Sequence, residues 1–369
     1  MIRVLFTIPN FLTAGSGHAL YQMASRLDQG KFEVHIMAKH DGGDLVNIIK
    51  NSHIKFHSFN YESPSRPIRK LLLSCRQVSR EFREIKPQII YSYHYSADYS
   101  EAIAAKMAGI PWIYVKKNMS WYGPSRNAWW VRSLLAKKIV VQNSDMEREF
   151  LYRFRKKLIK ISIGVDTETF KPPADKASIR KRLGADQGKF IFIHVSSLLP
   201  IKGVDVLLEA YEKFCLYPHA DHELWIVGPD DTNHVFELKK RYESNHKIKF
   251  WGSSKNVLQF LQASDSFIQP TLTKGEGSPI ALQEAMAVGL ICIGSKTAGI
   301  KDQMEGFDDL IFAASNSDEL CSKLKYVYEL ELKVRMELNQ SLRQRAIQMY
   351  SLKNEVEQVE KTLIGLSVN

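Results

Sequence analysis

Residues 264–295 read SDSFIQPTLTKGEGSPIALQEAMAVGLICIGS, and the fold is decided by this stretch. An apolar run from Ser264 to Thr271 ends at a proline, a Gly-containing loop follows, and small and apolar residues then lead to Gly289 and a second apolar run ending at Ser295. Strand, turn, helix, Gly, strand is a parallel β-α-β unit, and open sheets of such units bind ligands at the carboxyl ends of their strands. Glu276 and Glu284, separated by seven residues, stand inside it. Gly277 permits a tight path, Ser278 is expected to cap the helix, and Pro279 suits the first helical position. The amides there, through Ile280, offer a phosphate free N–H groups and partial positive charge. Glu276 would lie beside that phosphate. Glu284, about one and a half turns into the helix, would reach a hydroxyl-bearing part of the same ligand. The segment reads as a site for a sugar attached to a phosphate. Taken alone, a capped surface helix explains it as well.

Outward from this unit, apolar strand candidates alternate with helical stretches. The first series is Ile2–Ile8, Phe32–Ala38, Ile54–Phe59, Ile89–Tyr93, Trp112–Val115 and Ile139–Gln142. The second is Phe190–Val195, Leu224–Val227, Lys249–Trp251, Phe267–Gln269 and Leu290–Gly294. Crossover helices between parallel strands make two doubly wound α/β domains the economical solution. The expected division is 1–170, a hinge at 171–188 containing Pro172, Pro173 and Gly184, a second domain at 189–345, and a C-terminal helical segment at 346–369 that runs back to the first domain. A cleft between the domains is the expected binding place.

A chain of 369 residues is too long for one ordinary core. No apolar run has the roughly 18–20 residues that span a bilayer, and MIRVLFTIPNF reads as a first strand, not a secretory leader. Cys75, Cys215, Cys292 and Cys321 form no CxxC pair. They fit reduced thiols of a cytoplasmic protein better than a disulfide framework or zinc site. The net charge of +11 is unevenly spread: residues 1–170 hold 26 Lys and Arg against 14 Asp and Glu, and the remainder nets −1. Arg66, Arg69, Lys70, Arg76, Arg80, Arg83 and Lys86 form one cluster, interleaved with Leu71, Leu72, Leu73, Val78 and Phe82. A second comprises Lys137, Lys138, Arg153, Arg155, Lys156 and Lys157. Such a face meets an anionic membrane surface or an acidic substrate, or is an ordinary solvated helix face; nucleic acid fits least.

Four ordered motifs together resemble the retaining glycosyltransferases of family 4, of two-Rossmann GT-B architecture. They are GVDTETFKP (Gly164–Pro172), VSSLLPIKGVDVLLEAY (Val195–Tyr211), LWIVGPD (Leu224–Asp230) and the segment ending EGSPIALQEAM, which resembles the family's E-x7-E signature. In the first domain, TAGSGHALYQMASRL (Thr13–Leu27) resembles the Gly-rich loop and first helix. The resemblance implies a hexosyl unit moved from a nucleotide-diphosphate sugar to a glycan or lipid-linked acceptor, with retention and front-face attack. Lys202 would grip the diphosphate, helped by the amides around Gly277, Ser278, Pro279 and Ile280, with Gly15 and Gly17 facing from the other domain and Ser197 and Gly228 bordering the donor. Glu284 would accept from the ribose and Glu276 would hold donor hydroxyls near the reacting carbon. With that cationic grip and no Asp-x-Asp motif, neither a metal nor another cofactor is expected.

Two departures stand out. Ser197 occupies a position where the family carries Arg or Lys, and Lys117 stands where many members carry His. Lys117 either supplies the missing charge, binds the acceptor or is a basic loop residue. His94, Asn118 and Trp121, with Tyr122, are acceptor-site candidates, and His94 and Lys117 are also catalytic candidates. A protein that binds sugar nucleotides without transferring them, acting as a scaffold or regulator, is the competing reading. The expected location is the cytoplasm, free or at the cytoplasmic face of a membrane.

Overall fold

The computed structural model describes residues 1–12, 14–93, 98–119, 125–217, 221–273 and 275–367. The chain forms two compact units, Met1–Ile163 with Leu352–Asn369, and Gly164–Ser351. Each is an α/β unit on an all-parallel sheet.

In the first unit the strands are β1 (Ile2–Ile8), β2 (Phe32–Ala38), β3 (Lys55–Ser58), β4 (Ile89–Ser92), β5 (Trp112–Val115), β6 (Lys138–Val141) and β7 (Leu158–Lys160). Their order is β3-β2-β1-β4-β5-β6-β7, so the direction of winding reverses between β1 and β4. β1 reads IRVLFTI and is buried on both faces, as a central parallel strand must be. Val4, Phe6 and Ile8 pack with Leu20, Met23 and Leu27 and with Val356, Val359 and Leu363 of the last helix, Leu352–Ser367. Leu5 and Met37 point the other way, onto Leu71, Val78 and Phe82 of helix Ile68–Ile85.

The second unit holds β8 (Phe190–Val195), β9 (His222–Val227), β10 (Ile248–Gly252), β11 (Ser266–Gln269), β12 (Ile291–Ser295) and β13 (Ile311–Phe312), in the order β10-β9-β8-β11-β12-β13. Its winding reverses between β8 and β11. A single core joins Ile191, Ile193, Leu207, Trp225, Phe267, Ile268, Leu282, Met286 and Ile293.

The expected strands are present, with β7 and β13 added as short edge strands. The boundaries differ from expectation. Residues 171–188 are not a bare hinge but include helix Lys176–Arg182, fastened to the second unit. Buried Arg180 bridges Asp265 at 2.6 Å and donates to the carbonyls of Ala263, Gln187 and Lys189, while Lys176 reaches Asp265 at 2.5 Å. The chain passes between units at Ile163–Gly164 and again at Ser351–Leu352. Helix Leu332–Tyr350 belongs to the second unit and helix Leu352–Ser367 to the first, so the returning segment starts at 352, six residues later than expected. No helix of the described residues is long and apolar enough to cross a membrane.

Candidate functional site

In the second unit two connections leave neighbouring strands at the winding reversal, where open parallel sheets place ligands. From β8 the chain runs through Ser196 and Ser197 to a single 3-10 turn, Pro200–Lys202, and then helix Val204–Cys215. From β11 it runs through Pro270 and Thr271 to Glu276 and then helix Ile280–Val288. The two connections are tied together where Leu272 N–H donates to the Ile201 carbonyl at 2.9 Å.

This crossing brings Lys202 to Glu276, Nζ to Oε2 at 2.6 Å. The other carboxylate oxygen accepts from Gln269 Nε2 at 2.8 Å and Thr271 Oγ1 at 2.5 Å. Gln269 and Thr271 therefore fix the orientation of Glu276. Nothing in their spacing marks them for that role; both come from the end of β11 and the residues just after it.

The helix entry departs from expectation. Pro279 is itself the N-cap, extended at φ −70°, ψ 103°, and Ile280 is the first helical residue. Ser278 does not cap: its hydroxyl accepts from Gln283 Nε2 at 2.9 Å and lies 3.4 Å from Gln303 Nε2. Its oxygen is thus held by two glutamine amides, and no side chain among the described residues caps the first turn. The uncapped amides leave the entry suited to an anion.

Glu284 sits on that helix between Gln283 and Ala285, which are fully buried. Among the described residues nothing hydrogen-bonds or ion-pairs with it, and burial pushes its carboxyl pKa up to about 8. In the unfolded chain the group ionises near 4.5, so the folded state holds one more proton between about pH 4.5 and 8. Stability must therefore fall as pH rises through that window. Glu284→Gln, which keeps the shape and removes the titration, is expected to flatten the decline, so that its Tm exceeds the wild type's by several degrees at pH 8 but not at pH 5. Parallel Tm–pH curves for the two proteins would contradict this.

Ser197 is exposed in the turn after β8. That turn is fixed by a neutral histidine: His194 Nδ1–H donates to the Ile268 carbonyl at 2.8 Å, Nε2 accepts from Ser196 Oγ at 2.8 Å, and Ser196 Oγ accepts from Leu198 N–H at 3.0 Å. Burial pulls His194 down to about 4, so it stays uncharged at neutral pH. Gly228, at the end of β9, packs against the same turn; a Cβ there would stand 2.0 Å from the Ser196 carbonyl oxygen, which explains the glycine.

In the first unit, Gly15 and Gly17 lie within helix Ala14–Ala24 and not in the expected loop. A Cβ on Gly17 would approach the Phe11 ring to 2.9 Å, so close packing fits its lack of a side chain. At the carboxyl end of β5, Lys117 Nζ lies 3.8 Å from the Tyr93 ring centroid. Burial lowers its pKa to about 7, opposed by the negative charge of Glu355. Glu355, buried on the last helix, accepts from Tyr93 OH at 3.4 Å. Beside it Lys116 is held near 7 by burial and the charge of Arg132, and donates to Asn118 Oδ1 at 3.0 Å. Asn118 is exposed. His94, Trp121 and Tyr122 lie outside the described residues.

Within the second unit, then, Lys202, Glu276 and the helix entry Gly277–Ile280 converge, with Glu284 further along the same helix. Lys117 and Asn118 adjoin one another in the first unit. Glu355 escaped the sequence reading because only the returning last helix brings it to Tyr93.

Two parallel-sheet, Rossmann-like α/β units of this kind are the fold of the GT-B glycosyltransferases. Residues 13–169 match the model of "Glycosyltransferase Family 4" and residues 175–349 that of "Glycosyl transferases group 1". The chain belongs to this glycosyltransferase family and is a glycosyltransferase. It is 24% identical to an Escherichia coli UDP-Gal:alpha-D-GlcNAc-diphosphoundecaprenol alpha-1,3-galactosyltransferase, over 97% of this chain and 95% of that one. The fold is similar to that of a Rickettsia africae glycosyltransferase, with a TM-score of 0.86 at 18% identity over 100% of this chain and 99% of that one. It is also similar to the Anabaena protein HepE in complex with UDP and glucose, with a TM-score of 0.82 at 19% identity over 99% of this chain and 100% of that one.

Proposed function

We propose that the chain transfers a hexosyl unit, with retention of anomeric configuration, from a nucleotide-diphosphate sugar to a glycan or lipid-linked saccharide. The observation that carries the proposal is the pairing of Lys202 with a rigidly held Glu276 beside an uncapped helix entry. A diphosphate at Gly277–Ile280 meets the amides and Lys202, and Glu276 accepts from hydroxyls of the donor sugar. Glu284 has no partner among the described residues and accepts from the ribose, which favours its ionised form.

In the reaction the bond from the anomeric carbon to the diphosphate oxygen breaks, and a bond from that carbon to the acceptor oxygen forms on the same face. The acceptor proton passes to the departing phosphate oxygen. Charge grows on the diphosphate as the bond breaks, and fixed donors aimed at it supply the main acceleration. Lys202 and the amides fill that role without a divalent cation or other cofactor. Ser197 leaves the second cation of the family pattern unfilled at its own position. A uridine-diphosphate hexose is the first donor to test, because the E. coli relative is named for one and the Anabaena protein binds UDP. A polyprenyl-diphosphate-linked sugar is the corresponding acceptor. Lys117 and Asn118 belong to the acceptor side, at the carboxyl end of β5.

A thermal-shift panel of nucleotide sugars, followed by proton NMR of the product, tests this reading. Stabilisation by one donor and a product anomeric proton signature of the same configuration as that donor's are expected, with turnover unchanged in EDTA. No response to any nucleotide sugar, an inverted anomer, or loss of turnover in EDTA would overturn it.

A further inference from the structure

Helix Ile68–Ile85 buries Leu71, Cys75, Val78 and Phe82 in its own unit, accounting for half of its apolar residues. Three others face outward: Ile68 is 67% exposed, Leu73 63% and Leu72 42%. With each residue turned about 100° from the last, Ile68, Arg69, Leu72, Leu73, Arg76, Arg80 and Arg83 fall within one arc of about 140°. The helix's two acids, Glu81 and Glu84, both lie outside that arc. Arg83 is engaged, donating to the Met107 carbonyl. Among the described residues nothing ion-pairs or hydrogen-bonds with Arg69, Arg76 or Arg80. A folding role explains the buried stripe but not this second, cationic and apolar one.

Its place in the fold gives the stripe a direction. The helix crosses between parallel strands β3 and β4, so it runs opposite to them and starts at their carboxyl ends. Ile68, Leu72 and Leu73, all in its first turns, therefore stand at the end of the sheet from which Tyr93 and Lys117 emerge. Nucleic acid is met by basic, polar and aromatic side chains, not by bare leucine and isoleucine. Aliphatic side chains among arginines suit the headgroup–acyl boundary of an anionic bilayer, where the apolar groups insert and the cations meet phosphates.

We infer that the outer face of helix Ile68–Ile85, formed by Ile68, Leu72 and Leu73 with Arg69, Arg76 and Arg80, docks the protein on an anionic lipid surface. The docked face brings the carboxyl end of the first sheet toward the lipid, where a lipid-linked acceptor would be presented; that last step rests on the function proposed above, but the docking itself does not.

Co-sedimentation of the full chain with phosphatidylcholine vesicles, with and without phosphatidylglycerol, tests it without any donor or acceptor. Binding to the anionic vesicles alone is expected, released by high salt. The double variants Leu72→Gln/Leu73→Gln and Arg69→Gln/Arg76→Gln are each expected to bind at least about tenfold more weakly. Their Tm should be unchanged, since these side chains are exposed. Turnover on a short water-soluble acceptor should also be unchanged. Equal binding to neutral vesicles, no binding to anionic ones, variants that bind like the wild type, or a preference for nucleic acid over vesicles would overturn the assignment.

Discussion

Lys202→Ala is expected to lower kcat/KM by about 10²–10³-fold, the usual effect of removing one fixed donor from a site of developing charge. Among the described residues the side chain pairs with Glu276, at 2.6 Å, and neutralises that carboxylate. On the proposed function, an arriving donor gives the ammonium a second and growing anion, so its contribution would be larger in the transition state than before it. Stability should change little. The pair is partly accessible, at 22% and 16% of the two side chains, and Gln269 and Thr271 still hold Glu276 after the substitution. Lys202→Arg, which keeps the charge, should recover part of the loss. Steady-state kinetics with the preferred donor decide the matter: a Lys202→Ala enzyme within about threefold of wild type would remove Lys202 from the reaction.

Gly203→Ala is expected to cost about 4 kcal/mol of stability, among the larger values for a single substitution. Gly203 has φ +73°, a conformation that disfavours any residue with a Cβ. It also lies against the connection from β11, and a Cβ would stand 2.0 Å from the Pro270 carbonyl oxygen and 2.9 Å from its carbon. Both are backbone atoms, so relief requires moving the strand of chain that leads to Glu276. The same contact that holds the fold thus sets the spacing between Lys202 and Glu276. Urea denaturation monitored by tryptophan fluorescence measures the loss, and a change below about 1 kcal/mol would contradict the close approach.

Much of this arrangement was legible in the sequence because buried parallel strands are continuous apolar runs. FIFIHV, SFIQ and ICIGS announce themselves, whereas Ile311–Phe312 is two residues long and Leu158–Lys160 is a three-residue edge with a lysine in it. The stretch 171–188 resembled a hinge by its prolines and glycines. Its attachment depends on Arg180 reaching Asp265, a contact far apart in the chain that composition does not carry. Ser278 before Pro279 had the pattern of a cap, but the glutamine amides of Gln283 and Gln303 claim its hydroxyl. Motifs point to Glu276 and Lys202 but carry no mark of Gln269, Thr271 or Glu355. Those three act through hydrogen bonds made only after folding, and no local periodicity records such bonds.

On the proposed function, the donor's diphosphate is held in the second unit by Lys202 and the helix entry at Gly277–Ile280. Isothermal titration of the best-binding nucleoside diphosphate into wild-type protein and Lys202→Ala, both in EDTA, tests it most directly. Saturable binding by the wild type and at least about tenfold weaker binding by the variant are predicted. Equal affinities, or wild-type binding that appears only when a divalent cation is restored, would contradict it.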